Sequence, residues 1–361
     1  MTDTDRLYTD HLPGRTLVID GEEYLFCSGT SYLGIACNEQ FRQHLIEGIS
    51  RYGTNYSSSR NSNLQLAVFE EAEEYLASYT GSEAALTMSS GYLAGQTLVQ
   101  ALQGQGPLFY APGTHPALWR TVADAPDAAL GYDAWVAKLL QEVKSAAGPH
   151  VLIVCNSLDP LLAREYHFSW LSALPEDKRF TLIIDDSHGI GVTGKNGAGI
   201  SSVLQVPEHV RLIVISSLGK ACGIPAGVIT GDKQTIEQLK ASSYFGGASP
   251  AIPAYLYAFL RSTLIFQEAR ERLYGNIRSF REQLLHPDLF NTFDNYPVFN
   301  TRQGELCAYL LAHKVLISSF RYPTPVDEPI TRVILNSLHT QEDLERLTSL
   351  INQFEEVPGR Q

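Results

Sequence analysis

The stretch VISSLGKACGIPAGVITGD (residues 214–232) places one lysine, Lys220, between two apolar runs. The runs RLIVIS and AGVITGD are short, apolar and rich in β-branched residues, which is typical of buried strands in a parallel sheet. Glycine and alanine residues around the lysine leave space for a ligand beside its amine. A lysine in a turn is most often a surface residue. Here the buried flanks and the free space instead indicate covalent chemistry between the amine and a carbonyl group.

Two adjacent aspartates, Asp185 and Asp186, end another apolar run, FTLIIDD. Open α/β sheets bind their ligands at the carboxyl ends of the strands, where these carboxylates are expected to lie. Such a pair can also do no more than cap the following turn. His188 and the glycines in DDSHGIGVTGKNGAG (residues 185–199) favour a ligand site instead.

The glycines of this segment do not make a nucleotide loop. Residues 189–195 fit the pattern G-x-x-x-x-G-K, but Asn196 follows where a magnesium-binding hydroxyl is required, and no helix pattern comes after it. No G-x-G-x-x-G sequence follows a predicted strand either. The sequence therefore predicts neither a P-loop nor a nicotinamide-binding fold.

These residue types match the requirements of pyridoxal 5'-phosphate (PLP), which are an amine, a carboxylate and an anion site. Lys220 can form an imine with the aldehyde, and Asp185 can keep the ring nitrogen protonated so that the ring accepts electrons. His188, three residues after Asp185, is placed to contact the ring hydroxyl. As the flat residue that stacks on the ring we expect His115 in APGTHPALW, with Trp119 as the alternative.

The phosphate requires a separate anion site, which MSSGYLAGQTLVQAL (residues 88–102) offers. Ser89 or Ser90 is predicted to cap an apolar helix that begins at Gly91. The first backbone N–H groups of a helix form a natural site for anions. Ser217, three residues before Lys220, can add a hydroxyl.

The elements that must position these residues alternate along the chain. Residues 14–34 predict two strands around the turn Asp20-Gly21. Helical patterns at residues 64–81 and 132–146 then alternate with the apolar runs AALTMS, PLFYAP, HVLIVC and FTLIIDD. This alternation predicts an α/β fold with a mostly parallel sheet.

The C-terminal part of the chain predicts a smaller α+β domain. Residues 249–285 form one continuous helical pattern, which we expect to be a single long helical region bridging two domains. The runs YPVFN and TRVILN predict strands, GELCAYLLAHKV predicts a helix, and a last helix is expected at residues 340–356. Thr340 followed by Asp343 is a capping pair for that helix.

The composition excludes several functional classes. The chain has 361 residues and a net charge of −12, and no basic cluster indicates nucleic-acid binding. No run of eighteen apolar residues predicts a membrane span, and the polar start of the chain is unlike a signal peptide. We therefore expect a cytoplasmic protein.

The five cysteines are widely spaced and include no C-x-x-C pair. This pattern predicts reduced thiols and neither a disulfide framework nor a zinc site, so no metal is expected. Cys222, two residues after Lys220, is expected to be a small buried residue and not a reactive thiol.

The segments DGEEYLFCSGTSYLG, SSGYLAG, GTHPALW, DDSHGIGVTGKNGAG and SSLGKACGIPAG together resemble the α-oxoamine synthases of fold-type I PLP enzymes. The resemblance runs in order from about residue 14 to the final helix. It implies that Lys220 binds PLP covalently, that Asp185 contacts the pyridine nitrogen, that His188 contacts the ring hydroxyl and that His115 stacks on the ring. The implied phosphate region consists of Ser90, Gly91, Tyr92 and Ser217.

The resemblance also implies an architecture and a substrate class. The expected fold is an α/β fold-type I PLP transferase, with a mostly parallel central sheet flanked by helices and a small α+β C-terminal domain. Residues 1–45 would pack with the small domain, residues 46–270 would form the PLP-binding domain, and residues 271–361 would form the small domain. Arg332 would bind the substrate carboxylate, the reactants would be an amino acid and an acyl-CoA, and the enzyme would be a homodimer.

Three segments depart from the family pattern. Asn156, which is expected to contact the cofactor, stands where the synthases usually have a glutamate, and an asparagine is more typical of aminotransferases. Residues 52–63 are rich in serine where the family has glycine, and residues 244–250 contain glycine where the family has hydroxyl groups. Three hypotheses therefore stand: an acyltransferase, an aminotransferase, and a non-catalytic protein that binds PLP and a partner.

Overall fold

The computed structural model describes residues 7–127, 130–322 and 327–355. Backbone contacts divide the chain into two compact units. The first, here called the terminal unit, contains the chain up to Glu39, residues 160–164 and the chain from Leu264 onward. The second, here called the central unit, contains residues 40–159 and 165–263. The predicted domain boundaries at residues 45 and 270 stay predictions.

The structure contains strands and helices with the following bounds. The strands are β1 (Thr16–Ile19), β2 (Glu22–Cys27), β3 (Ala84–Met88), β4 (Leu108–Tyr110), β5 (His150–Asn156), β6 (Leu158–Asp159), β7 (Arg164–Glu165), β8 (Arg179–Asp185), β9 (Val210–Ser217), β10 (Gly227–Gly231), β11 (Val298–Thr301), β12 (Val315–Arg321) and β13 (Pro329–Ile334). The α-helices are α1 (Glu39–Tyr52), α2 (Ala67–Thr80), α3 (Gly91–Ala101), α4 (Tyr132–Ser145), α5 (Lys233–Lys240), α6 (Ser243–Gly247), α7 (Pro253–Arg261), α8 (Thr263–Gln283), α9 (Glu305–Ala312) and α10 (Gln341–Glu355).

The central unit is built on a six-stranded sheet with the order β3-β10-β9-β8-β5-β4. Strands β4, β5, β8 and β9 are parallel, which confirms the mostly parallel α/β fold. The buried strand predicted at residues 226–232 is confirmed as β10, which is antiparallel to both β9 and β3. Residues 218–226 are too few to make the crossover that a parallel neighbour of β9 would require.

Both faces of this sheet are covered, which explains the uninterrupted apolar runs of its strands. In β5, Leu152 and Val154 belong to a buried cluster that includes Leu98 of α3. The alternating residues of the same strand, among them Ile153, belong to the opposite cluster with Trp135 of α4. The strand's polar end at Asn156 is therefore an exception that requires another explanation.

The terminal unit has a mixed five-stranded sheet with the order β1-β2-β12-β13-β11. β2 and β12 are parallel, and the other pairs are antiparallel. The predicted hairpin at Asp20-Gly21 is confirmed, with φ values of 51° and 80° that suit a tight turn between twisted strands. Helix α10 begins with the predicted capping pair, since Thr340 Oγ1 accepts from Asp343 N and Asp343 Oδ2 accepts from Thr340 N.

The continuous helical pattern at residues 249–285 is interrupted in the structure, so the prediction of a single long helical region was wrong. Helix α7 ends at Arg261 and α8 begins at Thr263, with Ser262 between them at φ −111° and ψ 18°. The Ser262 hydroxyl donates to the Ala258 carbonyl at 2.7 Å and lies 3.0 Å from His44 Nδ1. Such side-chain bonds compete with the helical backbone pattern, which periodicity alone does not reveal.

Within the described ranges, no helix is both long enough and apolar enough to cross a membrane. All five cysteines are free thiols, and Cys222 is buried with 3% of its surface exposed.

Candidate active site

The carboxyl ends of three parallel strands bring the first group of predicted residues together. Asn156, the last residue of β5, pairs with Asp185, the last residue of β8. Asp185 in turn pairs with Ile215 of β9, two residues before Ser217. Because parallel strands end at the same edge of a sheet, these side chains lie at one site.

The antiparallel strand β10 adds the phosphate candidates to this edge. Its first residue, Gly227, pairs with Ser217 on one side and with Met88 on the other, so β3 and β9 end beside each other. Helix α3 begins just beyond β3 at Gly91, and Ser90 caps it by accepting a hydrogen bond from Leu93 N at 3.1 Å. The structure therefore confirms Ser90, and not Ser89, as the cap.

The start of α3 is in direct contact with the end of β9. A Cβ atom on Gly91 would lie 2.7 Å from Ser217 Cβ and 2.8 Å from Ser217 Cα, which is too close for any larger residue. The first N–H groups of the helix, which have no partner inside it, thus lie beside the Ser217 hydroxyl. This arrangement is suited to bind a phosphate.

Lys220 lies in the tight turn between β9 and β10. Leu218 N donates to the Ala226 carbonyl at 2.9 Å, and Ile224 N donates to the Leu218 carbonyl at 3.0 Å, which closes the turn around the lysine. Burial lowers the pKa of the Lys220 amine, and the negative charge of Asp185 partly opposes this shift. The uncharged, nucleophilic form of the amine is therefore favoured relative to an exposed lysine.

Asp185 is held by the loop that follows it. Its Oδ1 accepts a hydrogen bond from Ser187 N at 2.9 Å. The Ser187 hydroxyl accepts from Ser217 N at 2.8 Å, so one serine connects the ends of β8 and β9. Ser187 was not predicted from the sequence, although its position in the segment DDSH, between Asp186 and His188, could have indicated it.

Asp186 has a different environment from its neighbour. Only 2% of its surface is exposed, and its Oδ2 accepts from Ile200 N at 2.8 Å. The carboxylate fills the space where Cβ atoms of Gly189 and Gly199 would stand, so the glycine-rich loop wraps around it. Burial raises the pKa of Asp186 to about 7. Hydrogen bonds from the Ser157 hydroxyl and Ile200 N partly oppose this shift, and the negative charge of Asp185 adds to it.

His115 lies within electrostatic reach of the lysine and the aspartate. The residue is exposed, but desolvation of its imidazole ring lowers the pKa. The negative charge of Asp185 opposes this shift, and the positive charge of Lys220 adds to it. Its Nδ1 accepts from Ala117 N at 3.1 Å, and the Tyr92 ring meets it edge-on with centroids 6.4 Å apart. The alternative stacking residue, Trp119, donates its indole N–H to the Thr114 carbonyl at 3.1 Å.

His188 and Arg332 occupy different parts of the molecule. His188 is half-buried in the loop that directly follows Ser187. Arg332 belongs to the terminal unit, where it lies within β13 and donates from Nη1 to the Pro160 carbonyl at 2.8 Å. Its surface is only 7% exposed, so Arg332 is a buried residue and not an exposed arginine at a strand end.

Asn156 provides the clearest sign of a missing ligand. Its Nδ2 donates to the Gly113 carbonyl at 2.8 Å, which fixes the orientation of the amide. Its Oδ1 is buried and has no hydrogen-bond partner among the described residues. Because a buried acceptor without a donor is costly, this oxygen is expected to receive a hydrogen bond from a bound molecule.

The residues of this edge fit PLP. A half-buried amine at Lys220, a carboxylate at Asp185 and an anion site at the start of α3 supply the required groups, and Asn156 Oδ1 supplies a free acceptor. In the part of the chain that the structure describes, no three His, Cys, Asp or Glu side chains form a group suited to a metal.

Comparison with known proteins agrees with this fit. The family model for aminotransferase class I and II matches residues 38–351. An 8-amino-7-oxononanoate synthase from Geotalea daltonii is 28% identical over 93% of this chain and 89% of its own. One from Chromobacterium violaceum is 30% identical over 75% of this chain and 72% of its own.

Solved structures of similar proteins support the fold. A serine palmitoyltransferase with PLP has a TM-score of 0.82 at 18% identity, covering 98% of this chain and 92% of that one. An 8-amino-7-oxononanoate synthase from Francisella tularensis has a TM-score of 0.70 at 21% identity, covering 92% of this chain and 99% of that one. The predicted fold-type I architecture is thereby confirmed.

Proposed function

Because the chain belongs to the aminotransferase class I and II family, and within it to the α-oxoamine synthases, we propose that it is a PLP-dependent acyltransferase. The proposed reaction transfers the acyl group of a CoA thioester to an amino acid and releases CoA as the free thiol; the relatives are named 8-amino-7-oxononanoate synthases. The observation that carries the proposal is the half-buried Lys220 amine within electrostatic reach of Asp185 at the carboxyl edge of the sheet.

Each residue of this edge has a proposed task. PLP, when bound, supplies an electron-poor ring that withdraws charge from the α-carbon of an amino acid. Lys220 would hold PLP covalently, and its amine, once free, would take the proton from that α-carbon. Asp185 would keep a proton on the ring nitrogen, and His115 would lie against the ring and exclude water.

The remaining predicted residues orient the bound groups. The N–H groups of Gly91 and Tyr92, together with the Ser217 hydroxyl, bind the phosphate; Ser90 orients them as the cap. His188 and Asn156 contact the ring substituents from the ends of β8 and β5. The prediction that Arg332 binds the substrate carboxylate, through its planar guanidinium, belongs to the same proposal.

An aminotransferase is the second candidate, and Asn156 is the observation that favours it. The test incubates purified PLP-loaded enzyme with single amino acids, with and without acyl-CoA thioesters, and measures free CoA thiol and 2-oxo acid. We expect thiol release that requires both reactants. Stoichiometric 2-oxo acid from an amino acid alone, without thiol release, would establish transamination. If neither product forms although PLP is bound, the non-catalytic hypothesis would be the one that remains.

We further propose that the protein is a homodimer, with an acyl-CoA as its second substrate. Two large apolar residues on α1, Ile46 and Ile49, are 49% and 39% exposed in the isolated chain, and Leu64 is 71% exposed. Exposed apolar side chains that cluster on a surface are often covered by a partner in an assembly. Light scattering of the purified protein is expected to give twice the mass of 39.9 kDa. The cytoplasmic location stays a prediction.

A further inference from the structure

The terminal unit contains a second polar cleft that the proposed reaction does not use. The cleft has a volume of about 260 Å³. Its lining consists of Arg164, Asp288, Leu289, Asn291, Thr301, Arg302 and Gln303.

Two guanidinium groups and a single carboxylate, Asp288, line this cleft. Neither Arg164 nor Arg302 has an ion-pair or hydrogen-bond partner among the described residues, and both are exposed. Other arginines of the terminal unit do have carboxylate partners, such as Arg15 with Asp343. In a chain with a net charge of −12, two unpaired cations that share one concave surface make a local attraction for anions.

The other lining groups suit a ligand of the same class. Asn291 and Gln303 carry amide groups that can donate hydrogen bonds, and the backbone N–H of Gln303 is already fixed on Thr301 Oγ1 at 3.2 Å. The cleft's one acid is Asp288, which makes no ion pair within 4.0 Å among the described residues. It can accept a hydrogen bond from a hydroxyl or amine on the ligand.

Hydrogen bonds connect the cleft residues to the strands and the segment that hold Arg332. Asn300, which pairs with Arg332 across β11 and β13, also forms a bridge with Asn291 through two backbone hydrogen bonds of 2.8 and 3.0 Å. Arg332 in turn donates to the carbonyl of Pro160, in the short segment that ends at Arg164. Arg164 lies in β7 and Asn291 is bridged to β11, while Arg302 and Gln303 directly follow the end of β11.

We propose that this cleft is a binding site for the phosphate group of a small phosphorylated molecule. Arg164 and Arg302 bind the oxyanion, with their planar forks matched to its oxygen atoms. Asn291 and Gln303 complete the donor set, and Asp288 accepts from the part of the molecule that carries the phosphate. The proposal stands on the cleft alone and does not require acyl transfer at Lys220.

The test measures binding of two probes, inorganic pyrophosphate and coenzyme A, by titration calorimetry. The protein is first loaded with PLP and reduced with borohydride, so that the anion site at α3 is filled. The variant R164A/R302A is compared with wild type. R272A/R281A is the matched control, because it removes the same charge from two exposed arginines of the same unit that lie outside the cleft.

We expect at least one probe to bind wild type and control equally, and the cleft variant at least about tenfold more weakly. Coenzyme A binding without pyrophosphate binding would assign the cleft to phosphate esters, and binding of both would assign it to the phosphate group itself. Equal affinity in the cleft variant, or no binding of either probe to wild type, would overturn the proposal. If the protein retains no PLP, the probe affinities of wild type and the variants can still be compared. A failure of the cleft proposal is therefore distinct from a failure of the proposed function.

Discussion

Asp185 and Asp186 are neighbours in sequence with the same side chain, yet their surroundings give them different tasks. Asp185 is half-buried, accepts one backbone hydrogen bond and acts electrostatically on both Lys220 and His115. Asp186 is enclosed by a glycine-rich loop and accepts from Ile200 N. One carboxylate can therefore face a cofactor while the other holds the loop.

The pKa of Asp186 gives a prediction about stability. Its folded-state pKa of about 7 lies above the ordinary aspartate pKa of 3.8, so between these pH values the folded protein holds a proton that the unfolded chain has lost. Stability should thus fall as pH rises from about 4 to 7 and change no further above 7 through this group. At about 1.4 kcal/mol per pKa unit, the loss is at most about 4 kcal/mol.

Urea unfolding of D186N at pH 5 and pH 8 measures this effect. The amide cannot ionise, so the difference in unfolding free energy between the two pH values should shrink relative to wild type. D177N, at an exposed position, is the matched control and should keep the wild-type difference. An unchanged difference in D186N would contradict the assigned pKa shift.

At the scale of elements, the contact between α3 and β9 determines whether the phosphate site can form. The variant G91A places a methyl group against the Cβ and Cα of Ser217, so the helix must move away. Overpacking of this kind costs about 1–3 kcal/mol. We expect both a lower melting temperature and about tenfold weaker PLP binding, measured by fluorescence titration.

Gly275 provides the control for that variant, because it lies in α8 and a Cβ there would meet nothing within 4 Å. G275A should be neutral or stabilising by up to about 1 kcal/mol, since alanine favours helices over glycine. If G91A behaved like G275A in PLP affinity, the start of α3 would not be the phosphate site.

The serine-rich segment that departs from the family pattern is fixed by a buried ion pair. Arg60 donates to both carboxylate oxygens of Glu73, at 2.9 and 3.2 Å, and its guanidinium lies 4.1 Å from the centre of the Phe69 ring. Glu73 also accepts from Thr87 N at 2.9 Å, which connects the pair to β3. Ser59 adds a bond to the Gly246 carbonyl at 2.8 Å, so both unusual segments touch.

Removing Arg60 should therefore destabilise the central unit. Breaking a buried pair costs about 3–5 kcal/mol when the remaining charge has no other partner. Thr87 and Lys240, whose ammonium group lies 3.8 Å from Glu73 Oε2, keep the expected loss for R60A near the lower value. R272A, whose pair with Glu268 is exposed and 3.9 Å long, should cost less than about 1 kcal/mol. Denaturant unfolding of both variants tests this, and equal losses would contradict it.

At the scale of the whole molecule, the sequence was sufficient wherever local chemistry decides structure. The hairpin at Asp20-Gly21 and the capping pair at Thr340 depend on residues within a few positions of one another, and the cap of α3 was limited to Ser89 or Ser90 for the same reason. The strand ends that carry Asn156 and Asp185 were also predictable, because an apolar run that stops at a polar residue marks the edge of a buried sheet.

Long-range geometry was not predictable in the same way. The antiparallel direction of β10, which brings Gly91 against Ser217, depends on pairing with strands distant in sequence. The interruption at Ser262 depends on its bonds to Ala258 and His44. The Arg60–Glu73 pair joins residues on a loop and a helix, and no spacing rule indicates it.

The most direct test of the central claim asks whether Lys220 holds the cofactor. The purified protein is mixed with PLP, its visible absorption is recorded, and the complex is reduced with borohydride and mapped by peptide mass spectrometry, with K220A and the exposed-lysine variant K138A alongside. The account predicts a visible band and a PLP-modified peptide containing Lys220 in wild type and K138A, and neither in K220A. Labelling of another lysine, or an unchanged band in K220A, would contradict it.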